Sequence, residues 1–208
     1  VFELEEVTVV RGGRAVLGPL DLSIATGGTG DGPVVIVGPS GSGKSSLLRL
    51  LNRLDVPASG TVLLDGVDLA TMDPTVLRRR VAMVFQRPVP LPGTVADNLR
   101  VAAPELADDA VADALRRVGL DPALADRDAR ELSGGEAQRM GLARSLATEP
   151  EVVLFDEPTS SLDHDSAARI EELAVALCDQ GIGVIWVTHD RAQRDRLGRT
   201  VIDLEQLR

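Results

Sequence analysis

The order of three short segments constrains this chain more than any other feature. Val34-Val35-Ile36-Val37 is an apolar run of the kind that forms a fully buried strand. It runs straight into Gly38-Pro39-Ser40-Gly41-Ser42-Gly43-Lys44-Ser45. A helical segment follows, with Leu47, Leu50, Leu51 and Leu54 at i, i+3, i+4, i+7 spacing and Arg49, Asn52 and Arg53 on the opposite face. Buried strand, glycine loop and amphipathic helix, in that order, make a phosphate-binding arrangement. Small residues let backbone N–H groups curl around an anion, and the start of the helix adds partial positive charge. Lys44 is placed to reach the β- and γ-phosphates of a nucleotide, and the Ser45 hydroxyl to ligate Mg²⁺. The plain alternative is a glycine-rich turn before a helix. The Lys-Ser pair and the two correct flanking elements weigh against it.

Composition narrows the setting. The chain has 208 residues, within reach of one domain, and 44% of them are apolar, which is enough for a substantial core. The apolar set is dominated by aliphatic residues and contains no Tyr, a leaning that suits buried parallel strands. A formal charge of −10 disfavours non-specific binding to nucleic acid, so no nucleic-acid partner is expected and any polyanion must sit in a local pocket. Cys178 is the only cysteine, which excludes an internal disulfide and a cysteine-based zinc site and reads as a small buried apolar residue. No apolar stretch is long enough for a membrane span and no signal-like segment opens the sequence, so a soluble cytoplasmic protein is expected.

Elsewhere the pattern alternates between strands and helices. Strands are predicted over Phe2 to Val10 and Leu20 to Ile24, with a glycine-rich turn from Gly27 to Pro33. Thr61 to Leu64 reads as a strand turning at Asp65-Gly66. Asp73 and Pro74 start a short helix running to Arg80, and Val81 to Phe85 is another apolar strand. From about Arg87 to Glu131 prolines cluster, and a helix follows from Asp108 to Val118, with Val111, Ala114, Leu115 and Val118 on one face and Gly119 as its stop. This region reads as a helical insert in an α/β core. The core resumes with a helix from Ala137 to Leu146, a strand at Val152 to Phe155, a helix around Ile170 to Cys178 and a strand at Ile182 to Thr188.

Two further segments carry chemistry. Val152-Val153-Leu154-Phe155-Asp156-Glu157 is an apolar strand ending in carboxylates. Asp156 is placed to reach the Mg²⁺ held by Ser45, and Glu157 to polarise a water for in-line attack on a γ-phosphate. Leu132-Ser133-Gly134-Gly135-Glu136 is a second small-residue loop opening a helix, hence a second anion-binding helix start. Ser133 and Glu136 also fit a capping box, and the two readings are compatible. One triphosphate needs only one glycine loop, so a second suggests a second site or a second subunit.

With these residues in place, the sequence resembles the ABC-type ATPase family over essentially its whole length. Leu132 to Glu136 followed by Ala137-Gln138-Arg139 matches the family's signature motif, and Gln86 falls where its Q-loop glutamine lies. Ser160-Ser161-Leu162-Asp163 looks like the D-loop, with Ser161 where Ala is common, and His189 looks like the switch histidine. Ser46 stands where Thr is frequent and keeps the hydroxyl. The chain looks similar to iron-export and phosphate-import ATPases of the stand-alone prokaryotic type.

The resemblance implies an α/β fold: a P-loop NTPase core with a parallel-rich central sheet, an N-terminal antiparallel β subdomain and an inserted α-helical subdomain. The core would be 1–86 and 140–208, the helical subdomain about 87–139. It also implies a head-to-tail homodimer with ATP and Mg²⁺ between the P-loop of one copy and the Ser133–Gly135 loop of the other. The nucleotide-binding set is then Gly38, Pro39, Ser40, Gly41, Ser42, Gly43, Lys44, Ser45 and Ser46, with Ser133, Gly134, Gly135 and Asp163. The metal set is Ser45, Gln86 and Asp156, and the catalytic set is Glu157, His189 and Gln86. The family's adenine-stacking aromatic falls near Arg11, whose guanidinium plane is suited to stack on a base, with a solvated loop residue as the alternative. The implied function is ATP hydrolysis driving a separate integral-membrane permease, with the protein peripheral on the inner face of the cell membrane. A non-transport ABC-type ATPase with an assembly or regulatory role is the alternative. A small-molecule kinase is disfavoured, because it would leave the signature loop and Glu157 without a task.

Overall fold

The computed structural model describes residues 1–26 and 32–207. The glycine-rich turn read from Gly27 to Pro33 therefore lies, apart from its last two residues, outside the described residues. Two sheets organise the rest. The first is antiparallel, in the order β2-β1-β4-β5, built from β1 (Phe2–Arg11), β2 (Arg14–Ile24), β4 (Ser59–Leu64) and β5 (Val67–Asp68). The second is parallel, in the order β6-β7-β8-β3-β9, from β3 (Val34–Val37), β6 (Val81–Val84), β7 (Val152–Asp156), β8 (Gly183–Val187) and β9 (Thr200–Asp203). The expected parallel-rich core and N-terminal antiparallel unit are both present.

The parallel strands other than β9 are buried on both faces, which is why they read as unbroken aliphatic runs. Alternate residues serve different cores. Val34, Ile36, Val152, Leu154, Ile185 and Val187 pack with the antiparallel sheet and α1 (Lys44–Leu51). Val35, Val84, Val153, Phe155, Val184 and Trp186 pack with the other helices: α3 (Val95–Ala102), α4 (Asp108–Arg117), α5 (Gly134–Leu146) and α6 (His164–Asp179). The Phe155 and Trp186 rings stack at 5.0 Å between centroids, adding an aromatic contact to a core otherwise aliphatic.

The short helix α2 (Pro74–Arg80) starts as its residues predict: Asp73 accepts from the N–H groups of Thr75 and Val76, and Pro74 occupies the first turn. The hairpin at Asp65-Gly66 and the stop at Gly119, whose φ is +72°, also form as read. Several boundaries differ. Helix α1 ends at Leu51, so Leu54 lies beyond it and is 43% exposed. Asn52, read as a solvent-facing position, is instead buried at the C-cap, where its side chain accepts from Leu54 N. Phe85 lies past the end of β6 and is exposed. Helix α6 begins at His164, six positions before the start inferred from its apolar residues, because Asp163 caps it. Helix α5 begins at Gly134 rather than Ala137, the glycines being part of its first turn.

Helices α3 and α7 (Arg191–Leu197) and strand β9 escaped the sequence reading. The first is a short helix behind a proline cluster, opened by a Thr94/Asp97 capping box. The second is so charged that it resembles a loop. The third is short and half-exposed, and only its parallel pairing to β3 makes it a strand. No helix among the described residues is long and apolar enough to cross a membrane.

Candidate functional site

The site lies at the C-terminal ends of β3, β7 and β8, adjacent strands of the parallel sheet. That is where α/β sheets present loops to ligands. The loop from Gly38 to Gly43 is shaped by its glycines. Gly38 has a φ of +153°, and a Cβ there would lie 2.7 Å from Ser42 Oγ. Gly43 has a φ of +94°, and a Cβ would lie 2.9 Å from the carbonyl oxygen of Val16. Neither position admits a side chain without moving its neighbours, so the cradle is specific to glycine.

Gly43 is also the N-cap of α1, and no side chain caps that helix start. The first N–H groups of α1 are thus left for an external acceptor. Ser42 Oγ is buried without a hydrogen-bond partner. An uncapped helix start and an orphaned hydroxyl in a glycine cradle fit the phosphates of a nucleotide. Lys44 is only 5% exposed, and its Nζ donates to the carbonyls of Gly38 at 2.9 Å and Pro39 at 3.0 Å. These bonds fold the ammonium back over the loop, where it would meet the outer phosphates. The same Nζ lies 3.9 Å from Glu157 Oε1.

Ser45 Oγ donates to Asp156 Oδ1 at 2.7 Å, so the two residues read as Mg²⁺ ligands from distant parts of the chain meet. Both offer hard oxygen donors, which suit Mg²⁺. No group of three or more His, Cys, Asp or Glu among the described residues could hold a metal by itself. Two protein oxygens supplemented by phosphates and water are the usual arrangement for this ion. Burial pushes the Asp156 carboxyl above its ordinary value, partly offset by the Ser45 hydroxyl and the nearby Arg49 and Lys44 charges.

Glu157 follows at a backbone φ of +45°, a left-handed conformation that costs a non-glycine residue on the order of 1–3 kcal/mol. Its Oε2 lies 2.9 Å from His189 Nδ1. Glu157 is mostly shielded and His189 mostly exposed, so the histidine closes the solvent side of the carboxylate. Lys44, Ser45, Asp156, Glu157 and His189 are thereby brought into one continuous site.

Other inferred residues sit differently. Gln86 does not meet Ser45 or Asp156 through a hydrogen bond; its amide donates to Ser160 Oγ at 3.0 Å, joining the end of β6 to the segment after β7. Ser133 caps α5, with both halves of the capping box present: Glu136 N donates to Ser133 Oγ at 3.3 Å and Ser133 N to Glu136 Oε2 at 2.8 Å. Gly135 packs so closely on α6 that a Cβ would lie 2.7 Å from Ser166 Oγ. Ser133 and Gly134 are exposed, with Gly134 facing Leu162. Asp163 caps α6 by accepting from Ser166 N at 3.0 Å, which holds its carboxyl below the ordinary value. Arg11, at the end of β1, forms an ion pair with Asp55.

The sequence reading missed Ser42 as an orphaned hydroxyl. It also missed Gln193, 4% exposed and bonded to three other side chains. An apolar-poor helix directly after the His189-Asp190 pair was the available signal, since Asp190 caps α7 through the N–H groups of Ala192 and Gln193.

Comparison with known proteins agrees with this geometry. Residues 19–160 match the family described as ABC transporter. The chain is 47% identical over 194 residues to Protein STAR1 of Oryza sativa subsp. japonica, covering 91% of this chain and 55% of STAR1. It thus spans little more than half the length of that relative. It is 39% identical over 210 residues to Phosphate import ATP-binding protein PstB 2 of Natronomonas pharaonis, covering 92% of this chain and 72% of PstB 2. Among solved structures it is similar to the ATP-binding cassette MJ0796, seen as a dimer in a post-hydrolysis state with ADP and Pi. That match has a TM-score of 0.81 and 30% identity, over 98% of this chain and 94% of the other.

Proposed function

Because the chain belongs to the ABC transporter family and is an ATPase, we propose that it works as a head-to-tail dimer that powers a separate integral-membrane permease. The observation that carries this reading is the pair of glycine-lined helix starts. The start of α1 is uncapped and adjoins the Ser45–Asp156 and Glu157–His189 pairs. The start of α5 is exposed at Ser133 and Gly134, and its contacts lead to Glu136, Leu162 and Ser166 rather than to the P-loop. A second copy, turned head to tail, gives that loop a phosphate to meet. The dimeric MJ0796 structure lends support by similarity.

In this reading each chain binds ATP through the Gly38–Ser46 segment, with Lys44 on the outer phosphates. Ser45 and Asp156 would hold Mg²⁺, which when bound would neutralise phosphate charge. Glu157 takes a proton from the water that attacks the γ-phosphate, so that ATP and water leave as ADP and phosphate. His189 orients Glu157 and shields it from bulk water. Gln86 moves between its Ser160 bond and the metal side of the site, reporting occupancy to the permease. Asp163 and the signature residues Ser133 to Gly135 complete the site across the dimer. The helical unit of about 87–139, built on α3 and α4, carries the signature loop relative to the core.

Arg11 is the weakest member of the nucleotide set. Its ion pair with Asp55 favours the reading as a surface residue over base stacking, so adenine contact falls to other groups. Peripheral placement on the inner face of the membrane follows from the permease partner.

The direct test is sedimentation of Glu157→Gln with MgATP. The expected result is a nucleotide-dependent dimer that disperses when ATP is replaced by ADP. A monomer at saturating MgATP, with ATP bound, would overturn the dimer reading.

A further inference from the structure

Two of the buried polar side chains outside the nucleotide site, one on α6 and one on α7, join a single hydrogen-bonded cluster. Gln193 on α7 is 4% exposed, Glu171 on α6 is 8% exposed and Trp186 on β8 is fully buried. The Gln193 amide oxygen accepts from Trp186 Nε1 at 3.0 Å. Its amide nitrogen donates to Glu171 Oε1 at 2.8 Å and to Thr159 Oγ1 at 2.9 Å. Arg196 neutralises Glu171 with two further bonds, Nη2 to Oε1 at 2.8 Å and Nε to Oε2 at 3.0 Å. Both protons of the amide nitrogen are used and the oxygen faces an obligate donor. The amide therefore has one orientation, since a flip would set two donors against each other.

These bonds tie together the two segments that bear Glu157 and His189. Thr159 follows Glu157 by two positions, in the turn after β7. Gln193 sits in the first turn of α7, whose cap, Asp190, is next to His189. The carboxylate–imidazole pair at 2.9 Å thus spans the same two segments on the solvent side that the Gln193–Thr159 bond spans on the buried side. Glu157 is also the residue held at a φ of +45°. A strained backbone persists only where its surroundings over-determine it. On one side of Glu157 the β7–β8 ladder does this, through Glu157 N donating to Val187 O at 3.2 Å. On the other side, a turn bond from Ser160 N to Glu157 O at 3.2 Å closes the segment, and the Thr159 hydroxyl is its side-chain anchor to α7.

We propose that Gln193 is a positioning residue for hydrolysis, holding the segment after β7 through Thr159 so that the Glu157 carboxylate stays in register with His189. This rests on the role assigned to Glu157 above and adds a residue to that site. A neutral buried hydrogen bond contributes about 0.5–1.5 kcal/mol net, so losing it should slow the step by roughly 2- to 10-fold.

The test uses Thr159→Val, which removes one hydroxyl at nearly constant volume, with Thr159→Ser as the conservative variant. Thr159→Val is expected to lower kcat by that factor with the dissociation constant for ATP unchanged, and Thr159→Ser to restore it. Because the effect acts through Glu157, Thr159→Val should cause no further loss in single-turnover hydrolysis when added to Glu157→Gln. Gln193→Met should match Thr159→Val in kcat where it folds, and adding Thr159→Val to it should change nothing more. An equal fold-loss in the wild-type and Glu157→Gln backgrounds, an unchanged kcat in Thr159→Val, or a changed ATP affinity would each overturn the proposal. Normal turnover by Glu157→Gln alone would instead remove Glu157 from the mechanism, a distinct failure visible before any Thr159 variant is made.

Discussion

The starts of helices α1 and α5 are both glycine-rich and both follow a serine-containing loop, yet they solve the same electrostatic problem in opposite ways. Every α-helix begins with N–H groups that no residue of the helix can satisfy. At α1 the cap position is Gly43, which offers no side chain, and the orphaned Ser42 hydroxyl deepens the deficit. At α5 Ser133 and Glu136 form a complete capping box. That box takes the N–H groups of Glu136 and Ser133 and does not take those of Gly134 and Gly135. The first helix start therefore demands a ligand from within its own chain's site. The second is stable alone and still has donors left for one arriving from outside. On the proposed reading, the first start binds nucleotide in a single copy and the second recognises nucleotide bound by another copy.

The sharpest way to break this comparison acts on chemistry rather than binding. Glu157→Gln should lower kcat by roughly 10²–10⁴-fold, the usual contribution of a general base, while ATP affinity is retained. Single-turnover hydrolysis beside equilibrium binding of a fluorescent ATP analogue separates the two quantities. Next in size, Lys44→Ala removes a charge-assisted contact worth about 1.5–3 kcal/mol and should weaken ATP binding by roughly 10- to 100-fold in the monomer. Ser133→Arg should leave that monomer affinity unchanged and instead suppress the MgATP-dependent dimer of Glu157→Gln. If both substitutions weakened monomer binding alike, the division of labour between α1 and α5 would fail.

The smallest effects concern pH, and there the two regions should respond with opposite sign. Burial raises the Asp156 carboxyl, so the folded state holds its proton more tightly than the unfolded chain does. That charged carboxylate therefore lowers stability above its raised value, and stability recovers as pH falls through that value towards 3.8. Asp156→Asn should raise the melting temperature of the ligand-free protein at pH 7, by an increment that shrinks on acidification, while abolishing Mg²⁺-dependent hydrolysis. Glu136 is the reverse case. The backbone N–H of Ser133, followed by its hydroxyl, holds the Glu136 carboxyl below 4.5, so its contribution is present above 4.5 and lost as pH falls through the lowered value. Glu136→Gln should lower the melting temperature slightly at pH 7, with the difference fading in acid. Thermal melts of both variants between pH 3.5 and 7, as rough limits set by ordinary carboxyl values, compare the two directly.

Features that a few adjacent residues determine were legible in the sequence. Gly43, Lys44 and Ser45 had to follow a buried strand and open a helix, because only that placement gives the loop's N–H groups a common focus. Asp156 and Glu157 had to emerge at the end of a buried strand, because the apolar run before them has nowhere to go but the core. Asp73-Pro74, Asp65-Gly66 and Gly119 worked for the same reason: each acts on its own backbone. Leu54 and Asn52 were misplaced because periodicity continues past the point where a helix stops. Where α1 ends is settled by its neighbours.

Other facts belong to the tertiary structure. No local signal pairs Gln86 with Ser160, buries Gln193 against Trp186 and Glu171, or makes a strand of Thr200–Asp203. These depend on which strands lie side by side, and strand order is a property of the whole packed sheet. Sequence alone determined which groups are present and which loops can cradle a phosphate. The packed sheet decided which of those groups meet, because hydrogen bonds are directional and short-ranged while the chain positions they join are far apart.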